Sequence, residues 1–320
     1  MGEELGHNAS GGTAVFEFVE VGRGRVASNL LPSARRVDLS GRGRTTAYEM
    51  AGPPGAPTVL LLHGLGATGL LNWWPAFGPL ADHYRVVAMD LRGHGRGIPS
   101  GPRYRLADCA DDAAALADAL DVDTFIAVGY SLGGPISQLL WHRHRSRVDG
   151  LVLCATTNNF NGNAMERLYF KAMWGPVAAI RASRLVPSPL RPRPPRHTTV
   201  FEPEGPPRDL AITNMTQFAF REMRRSKPAS VIGALHALGR FRSDEWIGDV
   251  DVPAAVVVTT GDQLVAPSRQ YRLADSIPGA TVHEADTDHF GCVLGRRAFV
   301  PSLLDACASV TTRAGMSMRI

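Results

Sequence analysis

Thr124-Phe125-Ile126-Ala127-Val128 runs directly into Gly129-Tyr130-Ser131-Leu132-Gly133-Gly134, and a helical stretch follows from Pro135 to about His144. The first five residues form the apolar, β-rich run of a buried strand. A serine between glycines, placed where a strand turns into a helix, is the pattern of a nucleophile elbow. A turn tight enough to present the hydroxyl tolerates only small neighbours, and it aims the N-terminus of the new helix at the same point. An ordinary turn serine is the competing reading, and the strand-to-helix context weighs against it.

Working outward from this junction, Thr58 to Leu62, Arg85 to Met89, Gly150 to Cys154, Ala254 to Thr259 and Ala280 to Glu284 also read as buried strands. Between the second of these and the elbow, Leu106, Ala110, Ala113, Ala117 and Leu120 repeat at helical spacing. Alternating strands and helices predict an α/β fold with a mostly parallel sheet covered on both faces. The alternation stops after Thr156, and about 90 residues pass before the next buried strand. Within them Met165 to Ile180 and Leu210 to Met223 read as helices separated by Pro187, Pro189, Pro192, Pro194 and Pro195. The expected organisation is therefore a partly ordered extension over 1–34, a core formed by 35–156 with 250–320, and a helical cap over 157–249.

Composition narrows the function classes. With 44% hydrophobic and 20% charged residues, the chain can bury a large core. Its longest aliphatic runs fall far short of a membrane-spanning helix, and the Met1-Gly2-Glu3-Glu4 start lacks the features of a secretory signal, so a cytoplasmic protein is expected. Cys109, Cys154, Cys292 and Cys307 are scattered, which points to reduced thiols rather than a zinc site or disulfide framework. A net charge of +4 with no clustered basic stripe is no nucleic-acid footprint. The excess lies in 157–249, which carries 14 basic against 8 acidic side chains. Arg181, Arg184, Arg191, Arg193 and Arg196 gather around the Pro-rich loop; a solvated loop is the plain reading, and steering of an anionic substrate the sharper one.

The strand Val59 to Leu62 runs into His63-Gly64-Leu65-Gly66, a second tight turn at a strand's C-terminal end. Acyl transfer develops negative charge on oxygen, and preorganised backbone amides stabilise it. Leu65 and Leu132, one in each of the two turns, are the expected donors.

These features resemble the α/β-hydrolase superfamily over about 35–156 and 250–310, and Asp90-Leu91-Arg92-Gly93-His94-Gly95 is similar to a structural segment of that family. The resemblance implies an α/β-hydrolase fold with a helical cap inserted after the sixth strand. It also implies a triad in the order serine, acid, histidine. Asp262 follows the strand Ala254 to Thr259 in a stretch similar to the family's Asp-x-x-Val-Pro, with one residue inserted before Pro267. The rival acid position holds Thr156, Thr157, Asn158 and Asn159, while Asp249 and Asp251 precede their strand. Only His283 and His289 lie beyond Asp262; His283 falls inside a strand and His289 in the loop after it, which makes His289 the expected base. Cys292 reads as core filler. His63, Gly64, Trp73, Trp74 and Tyr130 are candidates for lining an acyl pocket, although Trp and Tyr are equally ordinary core residues.

Three functions share these residues. A serine hydrolase would cleave a carboxylic ester or thioester through an acyl-enzyme. The superfamily's carbon–carbon bond hydrolases use the same residue set, and a non-catalytic small-molecule binder is the third reading. A serine nucleophile disfavours haloalkane and epoxide opening, which the family performs with aspartate. No metal or organic cofactor is implied, the partner expected is a small-molecule substrate, and the oligomeric state is left open.

Overall fold

The computed structural model describes residues 18–21, 24–27, 32–100, 103–160 and 215–316. An eight-stranded sheet forms the centre of the protein, in the order β10-β9-β8-β7-β5-β6-β4-β3. Its strands are β3 (Ser33–Leu39), β4 (Gly43–Met50), β5 (Thr58–Leu62), β6 (Arg85–Met89), β7 (Phe125–Tyr130), β8 (Val148–Cys154), β9 (Ala254–Thr259) and β10 (Thr281–Ala285). Only β4 runs antiparallel to its neighbours, β3 and β6; every other pairing is parallel. A separate hairpin, β1 (Phe18–Val21) with β2 (Gly24–Ala27), lies within the expected extension.

The apolar runs form central strands because both faces of the sheet are covered. Along β5, Leu60 and Leu62 enter one core, with the helices Leu106–Ala119 and Gly133–Arg143. Val59 and Leu61 enter the other, with the helices Gly69–Trp73, Phe77–Ala81 and Arg296–Arg313. All six residues of β7 are buried.

β8 is the sixth strand of the sheet in chain order, and among the described residues β9 is the next. In this interval Met215–Met223 and Pro228–Leu238 are helices, so the second helix expected in the cap is realised in its described part. The expected helix over Met165 to Ile180, the Pro-rich loop and Arg181, Arg184, Arg191, Arg193 and Arg196 lie outside the described residues. Among the described residues no helix is long and apolar enough to cross a membrane. The four cysteines are buried and unpaired.

The sheet brings the C-terminal ends of β5, β7, β8 and β9 side by side, which is where open parallel sheets place their sites.

Candidate active site

Ser131 follows β7 with a φ of +51°, in the left-handed region that non-glycine residues avoid. Such a conformation costs on the order of 1–3 kcal/mol and persists only when its surroundings impose it. Here its amide donates to the Cys154 carbonyl at 2.9 Å, and its carbonyl accepts from the Gly134 amide at 3.0 Å. The glycine at 133 is dictated by the next strand: a Cβ there would lie 2.1 Å from the Leu62 carbonyl oxygen. The helix Gly133–Arg143 can therefore begin directly behind the serine.

His289 and Asp262 come from loops after β10 and β9. His289 Nε2 lies 3.0 Å from Ser131 Oγ, and its Nδ1 lies 2.7 Å from Asp262 Oδ2. The structure thus brings together the three residues that the sequence singled out, from positions separated by up to 158 residues. The Asp262 carboxyl is buried and also accepts the Leu264 and Val265 amides at 2.8 Å each, the Thr259 hydroxyl at 2.8 Å and Gln270 Nε2 at 3.2 Å. Burial pushes its pKa up, but the bond and charge of His289, the Val265 amide and the Thr259 hydroxyl outweigh it and hold the acid below its ordinary range. An ionised Asp262 can only accept, so His289 carries its proton on Nδ1 and presents a bare Nε2 to the serine hydroxyl. The residue inserted before Pro267 is absorbed in the turn whose amides bind Asp262 Oδ1, and Pro267 opens the next helix.

The other acids and histidines stand apart. Asp251 accepts from the Trp141 indole at 3.1 Å, before β9. His283 lies on β10 with its Nε2 at 3.2 Å from the Thr281 hydroxyl. At the rival acid position, Asn158 and Asn159 donate to Asp244. Burial pushes the Cys292 thiol up to about 12, so it rests as a neutral core group.

The turn after β5 is held beside the serine. A Cβ on Gly64 would sit 3.5 Å from Ser131 Cβ, at van der Waals contact, so the turn lies directly against the serine. The Gly64 amide donates to Asn72 Oδ1 at 3.0 Å. His63 is fully buried; its Nε2 accepts the Leu91 amide at 2.9 Å, which leaves Nδ1 to donate to the Gly64 carbonyl at 2.7 Å. Burial, then the neighbouring His94, depress its pKa to about 3, so the ring is neutral. The amides of Leu65 and Leu132 make no hydrogen bond to a described residue.

The remaining pocket candidates are buried in the scaffold around the site. Trp73 packs edge-on against Tyr130 at 6.1 Å, and Trp74 lies under the Arg296 guanidinium at 5.4 Å. The Tyr130 hydroxyl donates to the His289 carbonyl at 2.7 Å, tying the histidine loop to the strand that carries the serine.

Two contributors escaped the sequence reading. Gln270 holds both Thr259 and Asp262. Its one sequence signal is position: it shares a buried helical stripe with Leu273 and Ala274, where a polar residue needs a reason. Glu222, on the helix Met215–Met223, is buried against Arg96 at 3.2 Å, Arg225 at 2.8 Å and the Thr68 hydroxyl at 3.1 Å. Thr68 in turn caps the helix after the Gly64 turn by accepting the Leu71 amide.

Comparison with known proteins places this architecture. A family model described as "alpha/beta hydrolase fold" matches residues 57–295. A protein of Variovorax paradoxus named as the carbamate hydrolase RutD is 30% identical over 273 residues, covering 82% of this chain and 96% of its own length. The corresponding protein of Caulobacter vibrioides is 29% identical over 240 residues, with 73% of this chain and 84% of its own length covered. Among solved structures, an enol-lactonase from Burkholderia xenovorans shares the fold with a TM-score of 0.63 at 23% identity, over 86% of this chain and 100% of its own. A thermophilic esterase from Thermogutta terrifontis superposes with a TM-score of 0.64 at 18% identity, over 87% and 98%.

Proposed function

Given that the chain belongs to the α/β-hydrolase fold family and is a hydrolase, we propose that it cleaves a carboxylic ester or a related acyl bond through Ser131, His289 and Asp262. The observation that carries this reading is the unbroken hydrogen-bonded relay from Ser131 Oγ through His289 to the ionised Asp262, built on a serine held in a strained conformation.

In the first half-reaction Ser131 Oγ bonds to the substrate's carbonyl carbon while His289 Nε2 takes the hydroxyl proton. Asp262 keeps the imidazole in the required tautomer and stabilises the imidazolium without itself being protonated. The carbonyl oxygen becomes an oxyanion, which the Leu65 and Leu132 amides receive. Collapse breaks the bond to the leaving group, which departs with the proton from His289. Water then repeats the sequence against the acyl-enzyme, its proton going to His289 and returning to Ser131 Oγ.

The relatives named as carbamate hydrolases put a carbamate beside esters and coenzyme A thioesters among the substrates to assay, since the same attack serves all three. A vinylogous diketone tests the carbon–carbon reading. A fluorophosphonate probe should label the wild-type protein at one serine, and Ser131→Ala should remove the label and the turnover. A folded Ser131→Ala variant that labels or turns over at the wild-type rate would overturn the assignment.

A further inference from the structure

Strain at the serine has a twin. Ala155, the residue after β8, has a φ of +48°, and β8 pairs with β7 in a register that sets Cys154 opposite Tyr130. Two non-glycine residues in the left-handed region thus end two adjacent strands, one step beyond their last paired residues. Ala155 is held there by its amide, which donates to the Val257 carbonyl of β9 at 3.1 Å. Nothing in the chemistry proposed for Ser131 uses Ala155, yet its conformation decides where the next residue goes. The chain folds back, and the fully buried Thr156 turns its hydroxyl onto the Ser131 carbonyl at 2.9 Å. Its side chain also occupies the space left by Gly134, where a Cβ would fall 2.3 Å from Thr156 Oγ1 and 2.4 Å from its Cγ2.

We propose that Thr156, placed by the strained Ala155, is a positioning residue for the nucleophile: its hydroxyl holds the Ser131 peptide so that Oγ meets His289. This inference rests on Ser131 being the nucleophile. The physical case is that a strained conformation survives only where its surroundings over-determine it. The Ser131 backbone is gripped by three hydrogen bonds, from its amide to Cys154 and to its carbonyl from Gly134 and Thr156. The first two are main-chain bonds that any elbow sequence could make; the third requires a side-chain donor at position 156. Removing it lets the peptide rotate toward a relaxed conformation and carries Oγ out of line with His289 Nε2.

Thr156→Val keeps the shape and deletes the donor, whereas Thr156→Ser keeps the donor and deletes the methyl group against Gly134. The second-order rate constant for fluorophosphonate labelling should fall about tenfold in Thr156→Val, the loss of ~1.4 kcal/mol that one hydrogen bond at the reacting group supplies. KM for an ester should not change. Thr156→Ser should label within about twofold of wild type even while losing thermal stability, so that rate and stability part company between the two variants. Should the valine variant fail to fold, Thr156→Cys, a far weaker donor, takes its place with the same expectation. If the donor-less variant labels as fast as wild type while Ser131→Ala is unlabelled, the positioning role is overturned and the serine assignment stands. If Ser131→Ala labels like wild type, the serine assignment itself has failed, and this inference with it.

Discussion

Protonation of His63 should unfold this protein from the turn beside the serine outward, and the size of the effect follows from its burial. Its pKa is depressed from 6.5 to about 3 because the folded chain surrounds the ring completely and His94 stands beside it. Below pH 6.5 the unfolded chain takes up a proton that the folded chain refuses. The stability contributed by this histidine is therefore complete above 6.5 and is lost progressively as the pH falls toward about 3. At 1.36 kcal/mol per unit, the loss between about pH 7.5 and about pH 5 is about 2 kcal/mol. Asp90 acts in the opposite sense: burial first, opposed by the Arg96 and Gly69 amides, raises its pKa from 3.8 to about 6, so its contribution falls as the pH rises through that interval. A single pH series on the wild-type protein would mix the two, but a comparison with His63→Gln, which keeps Asp90, isolates the histidine. The assay is urea unfolding followed by tryptophan fluorescence at both pH values. His63→Gln costs absolute stability, but its drop on acidification should be about 2 kcal/mol smaller than that of wild type. Equal drops in the two proteins would refute the argument that His63 is held neutral and that its neutrality secures the Gly64 turn.

Asp262→Asn should lower kcat by about 10⁴-fold in a folded protein, because the amide can no longer fix the His289 tautomer; Asp251→Asn, outside the site, should stay near wild type in the same steady-state assay. Tyr130→Phe removes the hydroxyl bonded to the His289 carbonyl at 2.7 Å and should lower kcat about tenfold with KM unchanged, as expected when only the base is misplaced. Glu222→Gln should cost about 2–3 kcal/mol in urea unfolding at neutral pH, since it leaves Arg96 facing a neutral partner in a mostly buried site. Burial opposes ionisation of Glu222, but Arg96 and Arg225 prevail and lower its pKa below 4.5, so its contribution should be present above that value and fade as the pH falls through the lowered one.

The parts of this protein readable without coordinates are those in which each residue carries its own local cause. Apolar runs such as Val59 to Leu62 and Ala254 to Thr259 have the length and composition of strands buried on both faces, and the glycines around Ser131 mark a tight turn. His289 was separable from His283 because one falls after a strand and the other within it. β3 and β4 were missed for the converse reason. Ser33–Leu39 lies at the sheet edge with most of its side chains toward solvent, so Arg35, Arg36 and Asp38 obscure any apolar alternation, and pairing with β4 rather than composition makes it a strand. Of the supports of the site, only Gln270 leaves a trace in the sequence, through its place on a helical stripe with Leu273 and Ala274. That Thr156 bonds to Ser131, Gln270 to Asp262, Tyr130 to His289 and Glu222 to Thr68 depends on contacts across as many as 159 residues of chain. Nothing in the local preference of Thr156 or Glu222 distinguishes them from solvated residues of the same kind. The register of β7 against β8 brings Thr156 to Ser131, and the packing of the helix Met215–Met223 beside Gly69–Trp73 brings Glu222 to Thr68; both are set by tertiary packing rather than by local preference.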